Sequence, residues 1–578
     1  MIMDKILKVN TRTNAIRSET CSAEALRLGG RSLIAHLALK EIDPNCDPMG
    51  RNNKFILASG LLGDTNVTTA GRYSVGGKSP LTGGIKEASV GGSAGRKMAR
   101  LGFRAVVLED APDTRQTNVL AVSKEKAQII AAPEYKNLAV KSVCRLLRER
   151  FGEDSGVICV GPAGEMVMAG AGVATTDKAG VQIRFAGRGG MGAVMGSKGI
   201  KAVVFDDTDA SPQEAHDRKA LNAANRQLVQ LLLEDPKTEN RHNFGTPAVL
   251  ALCDALGILP TRNFSAGHFE HVDAISGEAV AGLIAKRGGH GCKGQPCVPG
   301  CVIQCSNVFP DPAGNATVAS LQYENIALLG SNCGIGDIDA IAELNNLCNE
   351  AGLDAIETGA AIGVAMEAGV ISFGDVAGVK DLFDQVMKGT PLGRIIGNGV
   401  VVTGKVFGAR RVPAIRGQAI PGYDPRSLKG IGVTYVTSPM GADHTAGNAL
   451  ELASSMDPRG TQGQVAASRR LQLRAAILDS LGVCLFIRPA FVKQPELFAE
   501  LLNARHGFKL TYPDVQQMGV KCLEAEREFN KRAGLSTDQC DVPEFMRYEP
   551  LPPHNTMFDI SKTEMDKIWT IEPTPDQF

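Results

Sequence analysis

Cys292-Lys-Gly-Gln-Pro-Cys297-Val-Pro-Gly-Cys301-Val-Ile-Gln-Cys305 sets four thiols into one short stretch punctuated by Gly and Pro. A loop of that make-up can turn several thiolates toward one centre, and soft sulfur ligands suit an iron–sulfur cluster or zinc. A zinc knot that only staples the loop is the plainer alternative. The other cysteines, such as Cys21, Cys46, Cys144, Cys159 and Cys540, are scattered and read as packing residues.

Two helix ends share a second pattern. Asn349-Glu-Ala-Gly352-Leu353-Asp354 and Asp479-Ser-Leu-Gly482-Val483-Cys484 each run from a polar residue to Gly, an aliphatic residue, and Asp or Cys. Either alone reads as a Gly-ended helix cap. Two copies, each with an outer polar residue and an inner potential ligand, suggest two similar half-sites. Gly187-Arg-Gly189-Gly-Met-Gly192 fits G-x-G-x-x-G, but a strand at 201–205 leaves little room for the helix a dinucleotide site requires. What survives is a loop of backbone N–H groups flanked by Arg184, Arg188 and Lys198, suited to phosphate. A second such loop runs from Gly71-Arg72 through Lys78 to Thr82-Gly83, then Ser89-Val-Gly91-Gly92.

The elements around these motifs change character along the chain. Lys5–Asn10 alternates as a half-buried strand, and short apolar runs at 55–58, 105–108, 157–160 and 202–205 read as further strands. After the polar linker 206–212, Ala- and Leu-rich segments predict helices over 213–233, 247–256, 337–350, 354–368, 464–481, 495–505 and 513–531. A Pro-rich polar tail over 542–578 is expected to wrap the surface. Sixty-two basic residues balance 62 acidic ones, so no overall charge points to nucleic acid or a membrane surface. No apolar run is long enough for a signal peptide or a membrane span, so the expected setting is cytoplasmic, where structural disulfides are rare.

Taken together, several segments resemble aldehyde:ferredoxin oxidoreductases. They are Lys5–Asn10, Gly71-Arg72 through Gly83, Gly189–Lys198, Thr261-Arg-Asn-Phe264 with Ile275-Ser-Gly-Glu278, Pro421-Gly-Tyr-Asp-Pro-Arg426, and Thr437-Ser-Pro-Met-Gly-Ala-Asp443-His444. The resemblance spans nearly the whole chain in the family's order. It implies an α+β fold with a β-rich N-terminal domain (1–208) that binds pterin phosphates. A mainly helical domain (213–417) would carry the cysteine loop and first turn. A second mainly helical domain (418–578) would carry the other turn, with the cofactor buried at the domain interface.

The resemblance further implies tungsten, or molybdenum, held by the dithiolene sulfurs of two pterins. Asp479, Gly482 and Val483 would grip one pterin; Asn349, Gly352, Leu353 and Asp354 would grip the other. Arg72, Ser89, Gly91, Arg184, Ala186, Arg188, Gly192 and Ala193 would hold the pterin phosphates and a bridging Mg²⁺. A [4Fe–4S] cluster would sit on Cys297, Cys301, Cys305 and Cys484, with Cys292 the alternative first ligand. The chain departs from the family in the extra residue of its cysteine loop, in Asn349 where Asp is usual, and in Glu343-Leu-Asn-Asn346, which lacks the His of an interfacial iron site. The catalytic pair implied is Glu324 as proton acceptor and His444 as donor to a substrate carbonyl, oriented by Asp443. The expected reaction oxidises a small aldehyde to a carboxylate and passes electrons to ferredoxin or a small iron–sulfur subunit, in an oligomer or larger redox complex. The alternatives are a low-potential reductase complex acting on an aromatic thioester, and a non-catalytic metal-stapled scaffold.

Overall fold

The computed structural model describes residues 4–571 except 178, 181 and 537–539, so residues 572–578 of the expected tail lie outside the described residues. One sheet is built from β1 (Lys5–Asn10), β2 (Ile16–Thr20), β3 (Phe55–Ser59), β4 (Tyr73–Lys78), β5 (Ile85–Val90) and β6 (Phe103–Glu109), in the order β2-β1-β6-β3-β4-β5. A second uses β7 (Asn118–Val122), β8 (Ala127–Ala131), β9 (Gly156–Cys159), β10 (Val173–Thr176), β11 (Ile183–Ala186) and β12 (Ile200–Phe205), in the order β8-β7-β12-β9-β10-β11. The two orders trace the same path. In each sheet the first and last strands pair in parallel, and every other pairing is antiparallel.

The helices repeat as well. Gly30–Glu41 and Val140–Phe151 each precede the third strand of their half, and Ala94–Arg100 and Met191–Ser197 each precede the last. Each sheet is covered on both faces, which explains continuous apolar runs in place of alternation. In β3, Phe55 and Leu57 join an interior shared with Leu120, Ile158 and Val203 of the second sheet. Ile56 and Ala58 point the other way, against Leu33, Ile34 and Leu37. Across the second sheet, Val157 and Val204 meet Val143 and Leu147. Each such aliphatic side chain contributes roughly 1.5–3 kcal/mol on burial. Reading this region as mostly β passed over the two longer helices that cover the sheets.

Past residue 217 the chain is mainly helical. The helix expected over 213–233 starts at Arg218, because Asp217 caps it by accepting the Ala220 N–H while the Gln213 N–H is spent on Asp64. The segment expected as one helix over 247–256 divides into a tight turn, Thr246–Val249 with Pro247 near its start, and the helix Leu250–Ala255. Ile338–Ala351, Ala355–Glu367, Gln464–Leu481, Glu496–His506 and Tyr512–Arg532 lie within two residues of their expected bounds. The largest core draws residues from Ala163 to Ile568, on both sides of the small hairpin Ala414–Ile415/Gln418–Ala419. Among the described residues no single helix is long and apolar enough to cross a membrane.

Candidate functional site

The two Gly-ended turns dock on the two sheets in equivalent ways. Helix Gln464–Leu481 ends in Gly482 at φ 74°, and the Val483 N–H reaches back to the Leu478 carbonyl. Helix Ile338–Ala351 ends in Gly352 at φ 75°, and the Leu353 N–H reaches back to Cys348. Both close as Schellman caps. The Gly482 carbonyl accepts the Arg72 N–H at the entrance of β4, and the Gly352 carbonyl accepts the Gly172 N–H at the entrance of β10. A side chain on Gly482 would strike Gly60 just after β3; one on Gly352 would strike Gly161 just after β9. The duplicated sheets thus present the two turns as a matched pair.

Between them lies a cavity of about 820 Å³. Its wall includes Arg72, Ser89, Gly91, Arg184, Arg188, Cys297, Cys305, Glu324, Asn349, Leu353, Asp354, His444 and Cys484. Asp479 and Gly482 stand behind that wall, as does Ala186 at the end of β11. With Ala186, two more of the expected phosphate-holding residues stay out of the cavity lining. The Gly192 N–H is spent on the Ala171 carbonyl, and Ala193 is fully buried in the core. Lys198 likewise points elsewhere and donates to the Gly50 carbonyl. Arg188 does reach the wall, but its guanidinium is committed to Asp354 at 3.4 Å and to the carbonyls of Ala442 and Ala419.

The four cysteines come from two segments anchored by neighbouring threonines. Thr68 Oγ1 donates to the Gly300 carbonyl and accepts the Val302 N–H, while Thr69 Oγ1 accepts the Cys484 N–H at 3.4 Å. Burial and the facing Cys297 and Cys484 push the Cys301 thiol up to about 12. Cys305 is raised by burial and by the other three. Cys484 is raised by burial, with Arg72 opposing. The thiolate forms of these cysteines would need compensating positive charge at their centre. Cys292 feels none of these sulfurs and sits in a strand whose register pairs it with Val308. Among the described residues no three His, Cys, Asp or Glu side chains are close enough to hold a single ion. A lone zinc would draw its thiolates to roughly 3.8 Å from one another at a Zn–S distance of about 2.3 Å.

Glu324 opens helix Tyr323–Leu329, and His444 opens a single helical turn that Asp443 caps. Glu324 Oε2 accepts the Gly422 N–H at 2.8 Å, and its Oε1 stands 3.5 Å from His444 Nε2, too far for a good hydrogen bond. Burial raises the Glu324 pKa, with His444 opposing. The His444 ring lies 5.8 Å from Tyr423, which in turn packs on Tyr323. Asp443 does not bond the His444 ring. It pairs with buried Lys86 and accepts from both the backbone and the hydroxyl of Thr445, so it orients His444 through the turn. Burial works to raise the Asp443 pKa, but Lys86, Arg188 and His444 outweigh it and hold the carboxylate ionised.

Arg184 Nε, Arg241 Nη1, Glu324 Oε1 and His444 Nδ1 are buried on this wall and have no partner among the described residues. Unsatisfied buried polar atoms are costly, so their convergence marks a place for a polar guest. Thr68, Thr69 and Arg241 were not legible beforehand, since nothing in their local sequence marks them.

Comparison with known proteins agrees along the whole length. Residues 6–207 match the family model for the aldehyde ferredoxin oxidoreductase N-terminal domain, and residues 223–569 match that for its domains 2 and 3. The tungsten-containing aldehyde ferredoxin oxidoreductase of Pyrococcus abyssi is 32% identical over 576 residues, covering 95% of this chain and 92% of the relative. That of Pyrococcus furiosus is 30% identical over 574 residues, with the same coverage. Among solved structures, the active site complex BamBC of benzoyl coenzyme A reductase superposes with a TM-score of 0.79 at 16% identity, covering 98% of this chain and 93% of that one. The scaffold alternative falls with these matches. An α+β chain whose duplicated sheets hold two Gly-ended turns against one polar cavity, it belongs to the aldehyde ferredoxin oxidoreductase family and is an oxidoreductase.

Proposed function

We propose that the protein oxidises a small aldehyde to its carboxylate and delivers the electrons singly to ferredoxin or a small iron–sulfur subunit. The observation that carries this is the facing of Glu324 and His444, each with an uncommitted buried atom, in the cavity that also exposes Cys297, Cys305 and Cys484. Asp479, Gly482 and Val483 on one side, and Asn349, Gly352, Leu353 and Asp354 on the other, would hold two pterins. Arg72, Ser89, Gly91 and Arg184 would hold their phosphates and Mg²⁺, and Cys297, Cys301, Cys305 and Cys484 would hold a [4Fe–4S] cluster. When bound, the tungsten-pterin group supplies the two-electron redox step.

Oxidation of an aldehyde by water releases two electrons and three protons, so the site must take up protons as charge develops. Glu324 Oε1 is free to accept one from the attacking water, and burial, which raises its pKa, favours the protonated form that results. His444 donates a hydrogen bond to the carbonyl oxygen. Tyr323 and Tyr423 wall this corner against water, and the Gly422 N–H fixes the carboxylate. Glu324→Gln keeps the Gly422 contact but removes the base. Turnover should fall by at least about 10²-fold, with tungsten and pterin content unchanged. Near-wild-type activity in that variant sinks the assignment. A parallel assay with an aryl thioester and a strong reductant tests the reductase alternative, which the fold likeness to BamBC keeps in play.

A further inference from the structure

Arg241 takes no part in the proton steps above. It lies in helix Pro236–Phe244, lines the cavity, and places its guanidinium carbon 4.3 Å from the centroid of the Phe486 ring. Phe486 follows Cys484 by two residues and packs with Cys297, Cys301 and Cys305 around Val298 and Ile303. The arginine therefore lies over the edge of the thiol set, where the charges facing it are the like charge of Arg488, then Cys484, Cys305 and Asp235. Burial and Arg488 work against its charge, and the thiolates and Asp235 work for it. Its Nη1 is buried with no partner among the described residues. Arg488, by contrast, is satisfied by Glu451 at 3.0 Å, and Arg72 by Ser89 at 3.1 and 3.0 Å.

We propose that Arg241 is a positioning residue for electron transfer: its guanidinium, stacked on Phe486 beside Cys484 and Cys305, stabilises the reduced form of the cluster those cysteines hold. The proposal rests on the cluster reading above. Reduction adds one negative charge to a group that four thiolates already make anionic. A fixed cation in a poorly hydrated wall favours that extra charge. Arg72, facing Cys484 and Cys297, adds a second guanidinium charge to the same set of thiols.

The test is an EPR-monitored redox titration of the anaerobically purified holoenzyme, with iron counted in the same samples. Arg241→Gln should lower the reduced-to-oxidised ratio at fixed potential by about tenfold, equivalent to about 59 mV for one electron. Arg241→Lys should restore most of it, with iron content unchanged in both. If the Gln variant loses iron, Arg241→Met keeps the stem packed on Phe486 without charge and should show the same fall. A wild-type midpoint in an iron-replete uncharged variant overturns the proposal, as does a fall in the Lys variant equal to that in Gln. Absence of iron from the wild-type protein would instead remove the cluster reading itself.

Discussion

The two half-sites share one scaffold, and three of their side-chain differences bear on what each can do. Where the first sheet brings Arg72 to its turn, the second brings Gly172. Where one turn has Asp479, the other has Asn349; where one ends in Cys484, the other ends in Asp354. Asp354 is occupied with fold: its Oδ1 caps helix Ala355–Glu367 and its Oδ2 receives Arg188. Cys484 caps only a short turn and turns its sulfur toward Cys297. A duplicated frame thus carries a thiol at one turn and a fold-committed carboxylate at the other. Backbone geometry sets where the turns go, and single residues set what each does.

The largest expected effect separates the two sides outright. Cys484→Ser should cost most of the bound iron, while Asp354→Asn should leave iron near wild type and cost stability and pterin retention. Equal iron loss in both would break the distinction. Next in size is a pair of changes that should not distinguish the sides. Gly352→Ala and Gly482→Ala each force a left-handed alanine against the backbone of the facing sheet. Each should cost about 2–4 kcal/mol by denaturant titration. A penalty confined to one would mean that only one turn is docked in solution.

The smallest effect concerns charge. Burial, aided by Asp443 and Glu526 against Arg31 and Arg72, raises the Asp479 pKa from 3.8 to about 6. The folded, cofactor-free protein therefore binds more protons than the unfolded chain between those values. Its stability should decline as pH rises through that window, by no more than about 3 kcal/mol. Glu87 and Glu357, raised by burial to about 8 and about 7, add to the same decline, so Asp479→Asn should lessen it and Asn349→Asp should steepen it. Thermal unfolding from pH 4 to 7 checks both.

Much of this was legible in the sequence. The caps at Gly352 and Gly482 announce themselves by residue type, and strands such as β3 by unbroken apolar character. The helix Val140–Phe151 also left a signal, since Val140, Val143, Cys144 and Leu147 fall at helical spacing and line its buried face. What could not be read was spatial commitment. Arg188 and Lys198 sit in a Gly-rich loop that looks built for phosphate, yet one is spent on Asp354 and two carbonyls and the other on Gly50. Lys86 gave no hint that it would pair with Asp443 across 357 residues. The sheet duplication left no repeat to find, because strand order is a property of pairing and not of residue identity.

The docking of the late turn on the early sheet also sets a timetable for synthesis. The Ser32 N–H donates to Ser480 Oγ across 448 residues, beside the contact of Gly60 with Gly482. At about 5–20 residues per second, the first sheet waits roughly 20–90 s on the ribosome before its partner turn exists. During that interval the N–H groups of Leu61, Leu62 and Arg72 lack their native acceptors, the carbonyls of Ser480, Leu481 and Gly482, and the early sheet keeps an unmet edge that a chaperone can hold.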